Sequence, residues 1–126
     1  MKPDNSKIVL WVDDDERIRR FGKSLVSRFG YGFDSAENGD RALELLSERR
    51  YDLMITDVTM PPGMNGWELA ERASRKYDNM DIAILTDSPP SDLEKRKNHC
   101  GVNHVLDKPV SMKKLKDLLN LVLYEK

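Results

Sequence analysis

The stretch "KIVLWVDDDE", Lys7–Glu16, decides the fold. Five apolar residues, Ile8 to Val12, run without a polar break and give way at once to four acids, Asp13 to Glu16. A strand with one wet face alternates apolar and polar residues, whereas a strand covered on both faces is apolar throughout. The run therefore reads as a central strand of a parallel sheet. The acids stand where that strand ends. Crowded carboxylates repel and raise one another's pKa values, so a chain that gathers them there needs something to offset the repulsion.

The same grammar repeats outward from this stretch. Ile18, Phe21, Leu25, Val26 and Phe29 recur at helical spacing, and Gly30 and Gly32 end that helix. "YGFDSA" is a weaker strand. "ENGD" is a turn and helix start, followed by a stripe of Ala42, Leu43 and Leu46. "YDLMITD" is a second buried strand, ending at Asp57, and "MPPGMNG" is a loop punctuated by Pro and Gly. Leu69, Ala70, Ala73 and Tyr77 mark a third helix. "DIAILTD" is a buried strand ending at Thr86. "SPPSD" caps a fourth helix, in which only Leu93 and Cys100 suit an inward face and which Gly101 closes. "VNHVLD" is the fifth strand. The last helix starts near Ser111 and carries Leu115, Leu118, Leu119, Val122 and Leu123. Five strands alternating with five helices predict an α/β fold, a doubly wound five-stranded parallel sheet covered on both faces.

Bulk properties bound the function. The 126 residues fit one domain, residues 1–126, with a structured core of about 7–124. The composition is that of a globular protein, 39% hydrophobic and 34% charged. A net charge of -1 gives no global field toward nucleic acid or an anionic membrane. Local basic groups, Lys95 to Lys97 and Lys113, Lys114 and Lys116, read as solvated helix faces. One cysteine, Cys100, excludes an internal disulfide and suits a reducing cytoplasm. No signal peptide is visible, and no segment approaches the roughly 20 apolar residues that span a bilayer.

In doubly wound sheets ligands bind at the carboxyl ends of the strands. Those ends carry Asp13, Asp14 and Asp15, then Asp57, then Thr86, then Lys108 and Pro109. Asp13, Asp14 and Asp57 brought together would repel unless a cation neutralised them. An all-oxygen donor set favours Mg²⁺, Mn²⁺ or Ca²⁺ over zinc. Magnesium takes one or two carboxylates and leaves positions for phosphate oxygens. Lys108 adds a compact positive charge and Thr86 a hydroxyl, a set able to grip a phosphoryl group. An aspartate can itself be the nucleophile, giving an acyl phosphate. Each residue also has a plain structural use: Asp15 and Glu16 as helix cap and first-turn acid, Asp57 and Lys108-Pro109 as turn residues.

Taken together, these residues resemble a response-regulator receiver domain of two-component signalling. "VDDDE", "ENGDRALELL", "DLMITDVTMP…GMNGWELA", "AILTD" and "LDKP" carry the resemblance over nearly the whole chain. It implies a flavodoxin-like sheet in the order 2-1-3-4-5. It implies Asp57 as phosphoacceptor, with Asp14 ligating Mg²⁺ directly, Asp13 through water and the Thr59 backbone carbonyl as a third protein ligand. Mn²⁺ is an admissible substitute. Thr86 and Lys108 would contact the phosphoryl oxygens, and the Lys108–Pro109 peptide would be cis. The implied partners are a sensor histidine kinase or phosphotransfer protein and a downstream protein target. A homodimer through the fourth and fifth helices, with Leu118 and Leu121 on its face, stands against a wide core stripe.

The chain departs from the family pattern in places. Val105, beside His104, stands where an aromatic residue is usual. Asp87 follows Thr86 where a small residue is common. "MPPGMNG" is one residue longer than the usual loop. Two other functions fit parts of the sequence. One is a small Mg²⁺-dependent phosphohydrolase of the haloacid-dehalogenase type, with Asp13 as nucleophile and Asp15 as its companion acid. The short chain and Arg17, where Thr or Val would be expected, speak against it. The other is a degenerate receiver that binds a partner without phosphorylation.

Overall fold

The computed structural model describes residues 7–124. Five strands alternate with five helices: β1 (Ile8–Val12), α1 (Glu16–Arg28), β2 (Gly32–Ala36), α2 (Gly39–Glu48), β3 (Leu53–Asp57), α3 (Gly66–Lys76), β4 (Asp81–Thr86), α4 (Leu93–Cys100), β5 (His104–Asp107) and α5 (Met112–Leu123). All pairings are parallel. The sheet order is β2-β1-β3-β4-β5, as expected.

The continuous apolar runs are explained by which face each residue joins. Successive side chains of a strand point to opposite faces. In β1, Leu10 and Val12 enter the core under α2, α3 and α4, while Val9 and Trp11 enter the core under α1 and α5. Met54, Ile82 and Ile84 join the first core; Leu53, Ile55, Ala83 and Leu85 join the second. The edge strands β2 and β5 are mostly half-buried, which is why their sequences read weakly.

Capping follows the sequence at four helices. Asp15, Asn38, Asn65 and Ser111 each accept a backbone N–H of the first turn, and Asn65 with Glu68 forms a full capping box. The fourth helix differs from expectation. Asp92 is its N-cap residue but makes no side-chain cap. Its backbone is not extended there, and its carboxylate pairs instead with Arg96 at 3.6 Å. Gly32 is also corrected: Gly30 follows the end of α1 with φ 93, whereas Gly32 lies inside β2 and pairs with Ile8. In α5, Leu118 is core and Leu121 is 63% exposed, so the two do not share a face.

Gly22 sits inside α1, where glycine is about 0.5–1 kcal/mol worse than alanine. Trp11 accounts for it. A methyl group at Gly22 would come within 2.7 Å of the buried indole ring. Gly22→Ala is therefore expected to destabilise the protein by about 1–3 kcal/mol despite the better helix propensity. Chemical denaturation checks this, and a stabilised variant would show that the Trp11 contact is soft.

Candidate functional site

Parallel pairing puts all strand carboxyl ends on one edge. Val12 is registered with Thr56, so the residues that follow, Asp13 and Asp57, lie side by side. Asp57 is registered with Leu85, and Thr86 with Asp107, which brings Thr86 and Lys108 to the same edge. Carboxylate oxygens of Asp13, Asp14 and Asp57 lie within 4.8 Å of one another. Asp13 and Asp57 are buried and Asp14 is exposed.

Hydrogen bonds fix this cluster. Asp13 Oδ1 accepts the Asp15 N–H at 2.9 Å. Among the described residues Asp13 Oδ2 is buried without a hydrogen-bond partner. Burial, joined by the charge of Asp57 and outweighing the bond from Asp15, pushes the Asp13 pKa up to about 6. Asp57 Oδ1 accepts from the Val58 N–H at 2.9 Å and from Lys108 Nζ at 2.5 Å. Burial works against the Lys108 charge. The bond to Asp57, with the charges of Asp57, Asp13 and Asp87, overcomes it and holds the lysine's pKa above its ordinary value. An orphaned, buried carboxylate oxygen among three acids fits a hard divalent cation: Asp13, Asp14 and Asp57 are the side chains able to hold it.

The surrounding loops are built closely against the acids. Lys108 N–H donates to the Thr86 carbonyl at 2.9 Å, and the Lys108–Pro109 peptide is cis, as expected. Thr86 Oγ1 accepts the Ser88 N–H at 3.1 Å. Thr59 lies exposed in the loop two residues after Asp57. Asp87 is exposed at the pocket rim, while Val105 is half-buried against the core under α4.

Three features were not foreseen. A second cis peptide, Pro61–Pro62, lies in the loop after Asp57. Gly66 donates to the Val58 carbonyl at 2.8 Å, and a methyl group there would strike the Asp57 carbonyl. Arg19 Nη1 donates to the Asp13 carbonyl at 2.7 Å. The double proline was visible as punctuation, but only the fold reveals the other two contacts.

The profile described as "Response regulator receiver domain" matches residues 9–120. The chain belongs to that family. It is 33% identical over 114 residues to the response regulator receiver protein CpdR of Brucella abortus, covering 90% of this chain and 92% of CpdR. It is 34% identical over 112 residues to the sensor protein EvgS of Escherichia coli, covering 89% of this chain but only 9% of EvgS. Among solved structures it is similar to the response regulator TrrA of Thermotoga maritima in complex with Mg²⁺ and BeF, with a TM-score of 0.82, 31% identity, and 93% and 99% of the two chains covered. Receiver domains of this family are signalling switches rather than enzymes of the ordinary kind. The phosphohydrolase and degenerate-receiver readings are not favoured. No helix of the described residues is long and apolar enough to cross a membrane.

The raised pKa of Asp13 gives a pH dependence with a definite sign. The protonated form favours the folded state, so this stabilisation is present below the ordinary value of 3.8 and is lost as pH rises through about 6. Its full size is about 3 kcal/mol. Unfolding of the metal-free protein across pH 4 to 7, compared with Asp13→Asn, is expected to show this decline in the wild type alone. Parallel curves would remove the account of Asp13 as an acid whose charge is disfavoured by burial and by the neighbouring Asp57.

Proposed function

We propose that Asp57 accepts a phosphoryl group from a phosphohistidine on a sensor histidine kinase or phosphotransfer protein. The observation that carries this is the Asp57 carboxylate held by Lys108 beside two further acids. In this reading Asp13, Asp14 and Asp57, with the backbone carbonyl of Thr59, would hold Mg²⁺. A bound Mg²⁺ offsets the charge that develops on the transferred group; Mn²⁺ serves the same purpose.

Among the described residues, the two hydrogen bonds to the Asp57 carboxylate fall on Oδ1. Oδ2 is then the attacking oxygen. An O–P bond forms on Asp57 as the N–P bond of the phosphohistidine breaks. Lys108 moves from the carboxylate to a phosphoryl oxygen, and Thr86 leaves its bond with the Ser88 N–H to do the same. That exchange passes the signal to the loop before α4. Val105 supplies no aromatic ring for a threonine-linked swing, so the loop and the weakly apolar α4 take that part. The pocket catalyses both the transfer and the later hydrolysis that resets it. Output goes to a protein target or a second copy through α4 and α5, where Leu121 is exposed. The receiver domain is residues 1–126, with a structured core of about 7–124, acting in the cytoplasm.

Acetyl phosphate with Mg²⁺ tests the assignment by intact-protein mass. One phosphoryl adduct is expected on the wild type and none on Asp57→Asn. An adduct that persists in Asp57→Asn contradicts it. Turnover of a phosphomonoester lost with Asp13→Asn but kept with Asp57→Asn would restore the phosphohydrolase reading. Asp87→Ala is expected to speed labelling by this anionic donor several-fold, with the gap closing at high salt. An unchanged rate would show that Asp87 exerts no repulsion on the donor.

A further inference from the structure

We propose that Arg19 is the positioning residue of the acid pocket: it ties the loop between β1 and α1 at the Asp13 carbonyl and so holds Asp13 and Asp14 ready for a divalent cation. The inference rests on the reading of the pocket as a Mg²⁺ site.

The loop consists of Asp13, Asp14 and Asp15. Its side chains repel one another, so backbone bonds must hold it. Asp13 N–H donates to the Ala36 carbonyl at 3.1 Å, which anchors the loop to β2. Asp15 N–H closes a turn on Asp13 Oδ1. Arg19 supplies the tie from the helix side, at 2.7 Å. The neighbouring arginines do something else. Arg17 pairs with Asp15 and is 88% exposed; Arg20 pairs with Glu16 and is 75% exposed. Arg19 is half-buried and points back to the pocket.

The choice of acceptor matters. A guanidinium paired with a carboxylate of the pocket would compete with the metal for it. Among the described residues Arg19 forms no such ion pair; its bond goes to a carbonyl. Arg19 thus fixes the backbone of the loop without occupying the carboxylate oxygens of Asp13 or Asp14. Partners that orient metal ligands in this way typically account for about 10–100-fold in metal affinity.

Charge and position make opposite forecasts, which makes the claim testable. Removing a cation near a Mg²⁺ site should tighten Mg²⁺ binding by Coulomb attraction alone. Loss of the tie should weaken it, because the loop relaxes and the carboxylates spread. Mg²⁺ binding to the full chain is measured by calorimetry at fixed ionic strength. Arg19→Ala is expected to bind about ten-fold more weakly, and Arg19→Lys to recover most of the loss. Arg19→Gln, which keeps a donor, is expected to bind more tightly than Arg19→Met, which keeps length alone; this pair decides the matter if Arg19→Ala does not fold. Equal or tighter binding by Arg19→Ala or Arg19→Met overturns the proposal while leaving the Mg²⁺ site intact. A wild type that binds no Mg²⁺ overturns the site reading itself.

Discussion

Asp13 and Asp57 follow registered positions of adjacent parallel strands, and both are buried. With Asp14 they put three carboxylates within 4.8 Å. No local choice relieves that crowding, because the register of β1 against β3 is fixed by two apolar faces. A slip of one residue would turn Leu10 and Val12 away from their core and Val9 and Trp11 away from theirs. The repulsion at the sheet edge is therefore locked in by burial elsewhere. Lys108 offsets part of it from the end of β5, and burial, with the charge of Asp57 added to it, still holds the Asp13 pKa above its ordinary value.

The rest of the pocket serves that constraint. Gly66 is small so that α3 can begin directly against the Asp57 carbonyl. Gly22 is small so that Trp11 can fill the space under α1 and keep β1 central. Asp15 turns the third acid of the loop into a helix cap instead of a further pocket charge. These are packing and capping solutions, and together they free Asp13 and Asp14 for a cation. The rim opposite is built more loosely. The α4 helix has no side-chain N-cap and buries Cys100 alone of its eight residues, so it is the element whose position a change at Asp57 can shift most cheaply.

Much of this was legible in the sequence. Buried parallel strands announce themselves as unbroken apolar runs, and β1, β3 and β4 ended where those runs ended. The acids, Thr86 and Lys108 could be placed on one edge because strand ends in such sheets share an edge. What stayed hidden depends on contacts between distant residues. Nothing around Gly22 tells of Trp11, and nothing around Arg19 tells of a carbonyl six residues back. Gly32 read as a helix stop because an edge strand has too weak a pattern to claim it. Asp92 read as a cap because residue type shows who can cap, not whether the backbone lets the side chain reach.

The central claim is that crowded carboxylates make the metal-free pocket costly and a divalent cation relieves it. The most direct measurement is the unfolding free energy of wild type and Asp13→Asn at neutral pH, each with and without saturating Mg²⁺. Without metal, Asp13→Asn should be the more stable by about 1–3 kcal/mol; with Mg²⁺ the gap should close or reverse, because the wild type binds the ion more tightly. A difference that is the same in both conditions would contradict the claim.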